Sequence, residues 1–152
     1  MVDQMKTEDI ARKEWMGLLA RVPSDVLIAK WGEFDLRPDF EWLRRPEVGG
    51  VMVRGRTGGT GAAFNLGEMT VTRCSLALDD GTVGHGYVQG RSKSKAEVAA
   101  LIDALMQTDV SEKVRSQVIE PLAEMMQAAR TSRAAKAAAT KVEFFTLVRG
   151  ED

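Results

Sequence analysis

Val71-Thr72-Arg73-Cys74-Ser75-Leu76-Ala77-Leu78-Asp79-Asp80-Gly81-Thr82-Val83-Gly84-His85-Gly86-Tyr87-Val88-Gln89 is the stretch that decides the architecture. Runs rich in Val, Thr and aromatics flank Asp79-Asp80-Gly81, the tightest turn signal in the chain. Glycine at 81 can adopt the positive φ that a two-residue or bulged hairpin turn requires. Residues 69–78 and 82–90 therefore read as an antiparallel pair. In the first of them the apolar phase moves from Met69 and Val71 to Cys74, Leu76 and Leu78, which predicts a bulge or bend near Arg73.

Upstream, the same texture of short β-prone runs broken by glycine places further strands at 40–46, 49–56 and 62–66, an antiparallel meander of about five strands in all. Downstream, Val98, Leu101, Ile102 and Leu105 fall at helical spacing, predicting a helix from Ser94 to Thr108 with Ser94 and Glu97 as a capping box. The chain opens with a helical hairpin. Thr7 is the expected cap of the first helix, whose face carries Ala11, Trp15, Leu18, Leu19 and Val22 up to Pro23. Ser24 and Asp25 cap a second, which carries Val26, Leu27 and Ala29 to Trp31 and stops at Gly32. Val114 to Ile119 is ambiguous. Pro121 suits the first turn of a long Ala-rich helix reaching Thr140, with Leu122, Met125, Met126 and Ala129 inward. Its second half, Arg130 to Lys141, has so narrow an apolar face that it is either solvated or waiting for a partner. The last run, Val142 to Val148, is apolar on both faces and reads as a central strand returning to the sheet. The fold class is α+β, and 152 residues suit a single domain spanning 1–152.

Composition narrows the function classes. Lys and Arg number 21 against 22 Asp and Glu, so the basic excess used in non-specific nucleic-acid binding is missing. One cysteine permits no internal disulfide, which fits a reducing compartment. Met1 to Lys13 mixes acids and bases unlike a signal peptide, and no apolar run approaches the roughly 20 residues that span a bilayer. A cytoplasmic protein without nucleic-acid or membrane partners is expected.

Side-chain chemistry is sparse. With one His and one Cys, a zinc or iron-sulfur centre contained in this chain is not expected, although it could lend one ligand to a shared site, and no metal or catalytic residue is assigned. His85 between two glycines reads as a surface or interface group, and Cys74 as a small core residue. Asp79 and Asp80 are ordinary turn residues. The segment Arg54-Gly55-Arg56-Thr57-Gly58-Gly59-Thr60-Gly61 joins flexible backbone N–H groups to two fixed positive charges, as an oligophosphate would require. It lacks the Lys-Ser ending of a P-loop and the following helix of a dinucleotide fingerprint. Arg73, Gly90 and Arg91 extend this candidate phosphate-binding or interface set, with Lys93 and Lys95 nearby at a helix N-terminus. The alternative is a glycine-rich hairpin loop with solvated arginines. Trp15, Phe144 and Phe145 read as core or subunit-interface anchors.

Several strings resemble one family. Arg12-Lys13-Glu14-Trp15-Met16, RTGGTGAAFNLGE from Arg56, VTRCSLALDDGTVG from Val71, VQGRSKSKAEVAALIDALMQ from Val88 and VEFFTLVRG from Val142 occur in the order seen in the G subunit of bacterial carbon-phosphorus lyase. They span most of the chain, and the resemblance is poor over 24–50 and 108–140. The resemblance implies an accessory or assembly subunit in phosphonate catabolism, working with the I, H, J and L subunits. The step attributed to that group is displacement of adenine from ATP by an alkylphosphonate, giving a ribose 1-alkylphosphonate 5-triphosphate. In the family, nucleoside cleavage is associated with the I subunit and radical carbon-phosphorus cleavage with the J subunit. The chain alone is then expected to hold no cofactor, ATP being substrate of the complex. Trp15, Phe144, Phe145 and Arg149 become interface candidates. Against this stands a stand-alone phosphate- or nucleotide-binding module.

Overall fold

A computed structural model describes residues 2–56 and 61–150, with side chains from residue 11 onward except those of 65 and 144–150. The order is α1 (Val2–Arg21), α2 (Ser24–Glu33), β1 (Phe40–Arg56), β2 (Ala63–Leu78), β3 (Val83–Gln89), α3 (Lys93–Leu105), α4 (Ser111–Val114), a π-helical turn (Arg115–Ile119) and α5 (Glu120–Gly150). The class is α+β, with helices against an antiparallel sheet ordered β1-β2-β3.

The sheet has three strands among the described residues, where about five were expected. The runs 40–46 and 49–56 are one strand, and so are 62–66 and 69–78. Pro46 and the glycines that suggested breaks sit in a strand whose pairing is irregular without ending. The register slips between Trp42 and Arg44, between Arg44 and Glu47, and between Val53 and Arg54. Pro46 lies in the second slip, on an edge strand, where its missing N–H costs no ladder bond. The bulge expected near Arg73 is the same slip: Glu47 faces Arg73 and Arg44 faces Ser75, with the extra residue on β1. Gly81 closes the β2–β3 turn at φ +89, and the Asp80 carboxylate accepts from Thr82 N at 2.9 Å.

α3 packs on β3 at close range because both surfaces are small. A Cβ on Gly84 would lie 2.1 Å from the Ala100 carbonyl oxygen, and one on Gly86 would lie 2.2 Å from that of Ala96. Ala96, Ala100 and Ala104, four residues apart on α3, form the opposing stripe. The core lies between this face of the sheet (Cys74, Leu76, Leu78, Val88) and the helices, with Leu19, Val22, Leu27, Ile102, Val118 and Leu122 almost wholly enclosed.

Helix boundaries depart from expectation in instructive ways. α1 begins at Val2, so Thr7 is inside it. Ser24 is also helical and caps nothing; its hydroxyl meets that of Ser92 at 2.9 Å. Ser92, two residues before the expected Ser94, caps α3 by accepting from Lys95 N at 3.1 Å. Gly32 does not stop α2, whose end is finished by Arg37: its guanidinium donates to the carbonyls of Trp31 and Phe34 and lies 4.8 Å over the Trp31 ring. Lys95 does the same for α1, its buried ammonium donating to the Ala20 carbonyl at 2.8 Å. Burial pulls its pKa below the ordinary lysine value.

The largest correction is at the C-terminus, where the expected final strand is helix: α5 runs through to Gly150. Between Pro121 and Gly150 no Gly or Pro interrupts it. The β-branched and aromatic residues of 142–148 cost a few tenths of a kcal/mol each in a helix that is already propagating. Met125 and Ala129 also face out, and residues 127–143 are exposed along their whole length.

Candidate interaction surface

The charges in this molecule fall into a buried group that organises the fold and an exposed group that does not converge. The buried group centres on Asp103, whose carboxylate has no solvent exposure. It accepts from Arg12 Nε at 3.2 Å and Nη2 at 2.9 Å, from Trp15 Nε1 at 2.8 Å, and from the backbone N–H of His85 at 2.9 Å. Arg12 and Trp15, three apart on α1, reach it together, so one carboxylate joins α1, α3 and β3. Trp15, read from the sequence as a core or subunit-interface anchor, lies in this chain's own core, 8% exposed. Sequence reasoning missed Asp103. The available signal was an acid inside the apolar run Val98 to Met106, which must be satisfied if buried.

Asp103 also blunts an edge. It takes the outward N–H of His85, and Gln107 Nε2 donates to the Val83 carbonyl at 2.9 Å, so α3 side chains occupy backbone groups along the free side of β3. The His85 side chain is exposed.

The exposed arginines do not form one cluster. Arg54 and Arg56 sit at the far end of β1, facing Asn65 and Ala63. Arg73 faces Glu47 and Tyr87, eight positions from Asn65 along β2, a separation of roughly 26 Å. Arg91 follows Gly90, which has φ +92, donates its N–H to the Thr70 carbonyl and accepts from the Thr72 hydroxyl. Among the described residues none of these four arginines forms an ion pair. Gly61 is at the bend entering β2, and Gly58, Gly59 and Thr60 lie outside the described residues. Phe144, Phe145 and Arg149 fall in the last turns of α5, their side chains outside the described set.

What the strands do build is an arm. β3 pairs with β2 only from Val71 to Ala77, while β1 and β2 continue together out to Arg56 and Ala63. No described residue of this extension, from Gly50 to Arg56 or from Ala63 to Thr70, is buried. Directly paired residues share a face, so Val51 and Met69, Val53 and Gly67, and Gly55 and Phe64 line one side. Leu66 joins that side, lying against Gly55. Met52, Glu68, Arg54 and Arg56 line the other. Phe64 is 45% and Leu66 63% exposed.

A hollow of about 350 Å³ holds Asp39, Asp79, Asp80 and Asp109 beside Arg37, and among the described residues no group of His, Cys, Asp and Glu has the geometry to hold a metal. Cys74 is buried, its thiol donating to the Ala96 carbonyl at 3.2 Å, and burial pushes its pKa up to about 11, which is the opposite of an activated nucleophile.

The family description that matches residues 10–150 is "Phosphonate metabolism protein PhnG". The chain belongs to the PhnG family. A PhnG relative from Rhizobium meliloti (strain 1021), named alpha-D-ribose 1-methylphosphonate 5-triphosphate synthase subunit PhnG, is 44% identical over 156 aligned positions covering the whole of both chains. Among the described residues of this PhnG chain, no helix is long and apolar enough to cross a membrane.

Proposed function

We propose that this chain is an accessory, assembly-type subunit of a ribose 1-methylphosphonate 5-triphosphate synthase, acting in the cytoplasm. In that role it supports the displacement of adenine from ATP by an alkylphosphonate without supplying the catalytic groups. The observation that carries the reading is the full-length, 44% identical relative bearing that subunit's name. Two features of the chain support it. Displacing a purine at an anomeric carbon needs a group to assist the leaving base, stabilisation of an oxocarbenium-like centre and cations for the triphosphate. The cations this chain offers for the last of these, Arg54, Arg56, Arg73 and Arg91, are spread along the sheet and not gathered at one site. The second feature is the extent of surface left uncovered on the arm and on α5.

The partners in this reading are the I, H, J and L subunits, with ATP bound by the assembly and no cofactor resident in this chain. Co-expression of the synthase subunits with and without this chain tests the role. Omission is expected to abolish both the defined complex and conversion of ATP plus methylphosphonate to product. An unchanged rate and particle size would overturn it. Within the assembled complex, Arg56→Ala with Arg91→Ala separates two versions: a scaffold retains its turnover, whereas a shared triphosphate site leaves an intact particle with turnover reduced at least tenfold.

A further inference from the structure

The β1–β2 arm is a two-stranded ribbon about 25 Å long, and among the described residues no third strand pairs with it and no helix lies over it. A two-stranded ribbon is marginal in water on its own; it becomes stable when a third strand or a packed surface covers its apolar face. This one has such a face: Val51, Val53, Phe64, Leu66 and Met69 stand on one side. Its outermost pair of charges, Arg54 and Arg56, has no ion-pair partner among the described residues. The nearest acid on the arm, Glu68, pairs opposite Met52 and lies against Gly50, toward the base. Among its described residues the arm is therefore apolar along one face and carries two cations on the other, at its outer end.

We propose that this arm is the chain's principal docking element and that its occupant is another protein subunit of the synthase, presenting an apolar surface bounded by carboxylates where Arg54 and Arg56 arrive. The charge pattern argues for that chemistry: the apolar side of the arm calls for burial, and two guanidiniums at one end, without an ion-pair partner among the described residues, call for bidentate acidic partners that also fix its direction. A nucleic acid would not match, because the apolar face has no phosphate to meet and the chain as a whole carries a formal charge of -1. The proposal rests on the assembly-subunit reading above.

The test uses the full chain, co-expressed with the other synthase subunits, as wild type, as Phe64→Asp with Leu66→Asp, and as Arg54→Glu with Arg56→Glu. Complex formation is read by size-exclusion chromatography with light scattering, and amide exchange is compared between the free and assembled wild-type chain. The apolar double variant is expected to keep the free chain's circular dichroism and to lose association at least tenfold; the charge reversal is expected to weaken it and to remove its salt dependence. Exchange at 50–56 and 63–69 should slow at least tenfold on assembly, a readout that stands even if a variant misfolds. Unchanged association of both variants with unchanged exchange in the arm would overturn the proposal while leaving the assembly reading intact. A wild-type chain that joins no synthase subunit would overturn both. If the arm instead gains its protection in a dimer of this chain alone, the occupant is a second copy and the proposal as stated fails.

Discussion

β2 lives two different lives along one continuous strand. From Thr72 to Leu78 its alternate residues are buried under α3, and its neighbour β3 brings Gly84 and Gly86 into contact with the backbone carbonyls of Ala100 and Ala96. From Thr70 back to Ala63 the strand carries Leu66 and Phe64, larger and more apolar than the glycines of β3, yet these stand in solvent. Hydrophobicity alone therefore does not mark the core of this chain. Small residues mark where a helix comes close, and large apolar residues beyond the helix mark where something else must. α5 repeats the contrast, with Leu122 enclosed and residues 127–143 exposed.

The comparison is most easily broken at Asp103. If the packed half depends on a satisfied buried carboxylate, Asp103→Ala strands the Trp15 indole and His85 amide donors and removes a charge partner of Arg12, lowering stability by about 3 kcal/mol. Urea unfolding of the isolated chain reads this directly, and a loss below about 1 kcal/mol would mean that the network positions α1 without holding it.

Gly84→Ala sharpens the same side. A single methyl group must displace α3 or β3, and a cost of about 2 kcal/mol is expected in thermal or urea unfolding. On the arm, Leu66→Ser in the isolated chain should change stability by less than about 0.5 kcal/mol, since the side chain is 63% exposed and makes little of the fold. A larger loss would show that the arm is self-supporting and would remove the contrast.

Cys74 gives the smallest effect and a signed one. Its folded thiol is held protonated up to about pH 11, against 9.0 for the ordinary thiol. Between those values the unfolded chain has released the proton and the folded chain has not, so stability attributable to Cys74 is present below pH 9.0 and declines as pH rises toward 11. Wild type minus Cys74→Ala, measured by urea unfolding across that window, isolates this slope. A flat difference would mean that the thiol is not sheltered.

The helix-sheet core was legible because its signals are local and agree. The Asp79-Asp80-Gly81 turn sets the β2–β3 hairpin, and the spacing of Val98, Leu101, Ile102 and Leu105 sets α3. The bulges were not separable from strand ends, since a glycine pair or Pro46 looks the same in either setting and only the pairing with β2 distinguishes them. Val142 to Val148 misled for a related reason: a short run apolar on both faces suits a buried strand and a helix equally, and the uninterrupted helix before it decides. Arg54, Arg56, Arg73 and Arg91 are all exposed, and their spacing across the sheet depends on which strands pair, which no local pattern carries. Asp103 and Arg12 lie 91 residues apart, so their meeting could only be seen in three dimensions.

The central claim, that this chain works as part of an assembly, is tested most directly by light scattering on the chain expressed alone and then with the I subunit proposed above as its partner, alongside ATP titration of the isolated chain. The account predicts a chain that does not bind ATP and that forms a defined hetero-oligomer with that subunit. A well-behaved monomer that binds ATP unaided and ignores the I subunit would contradict it and leave the stand-alone nucleotide-binding reading in its place.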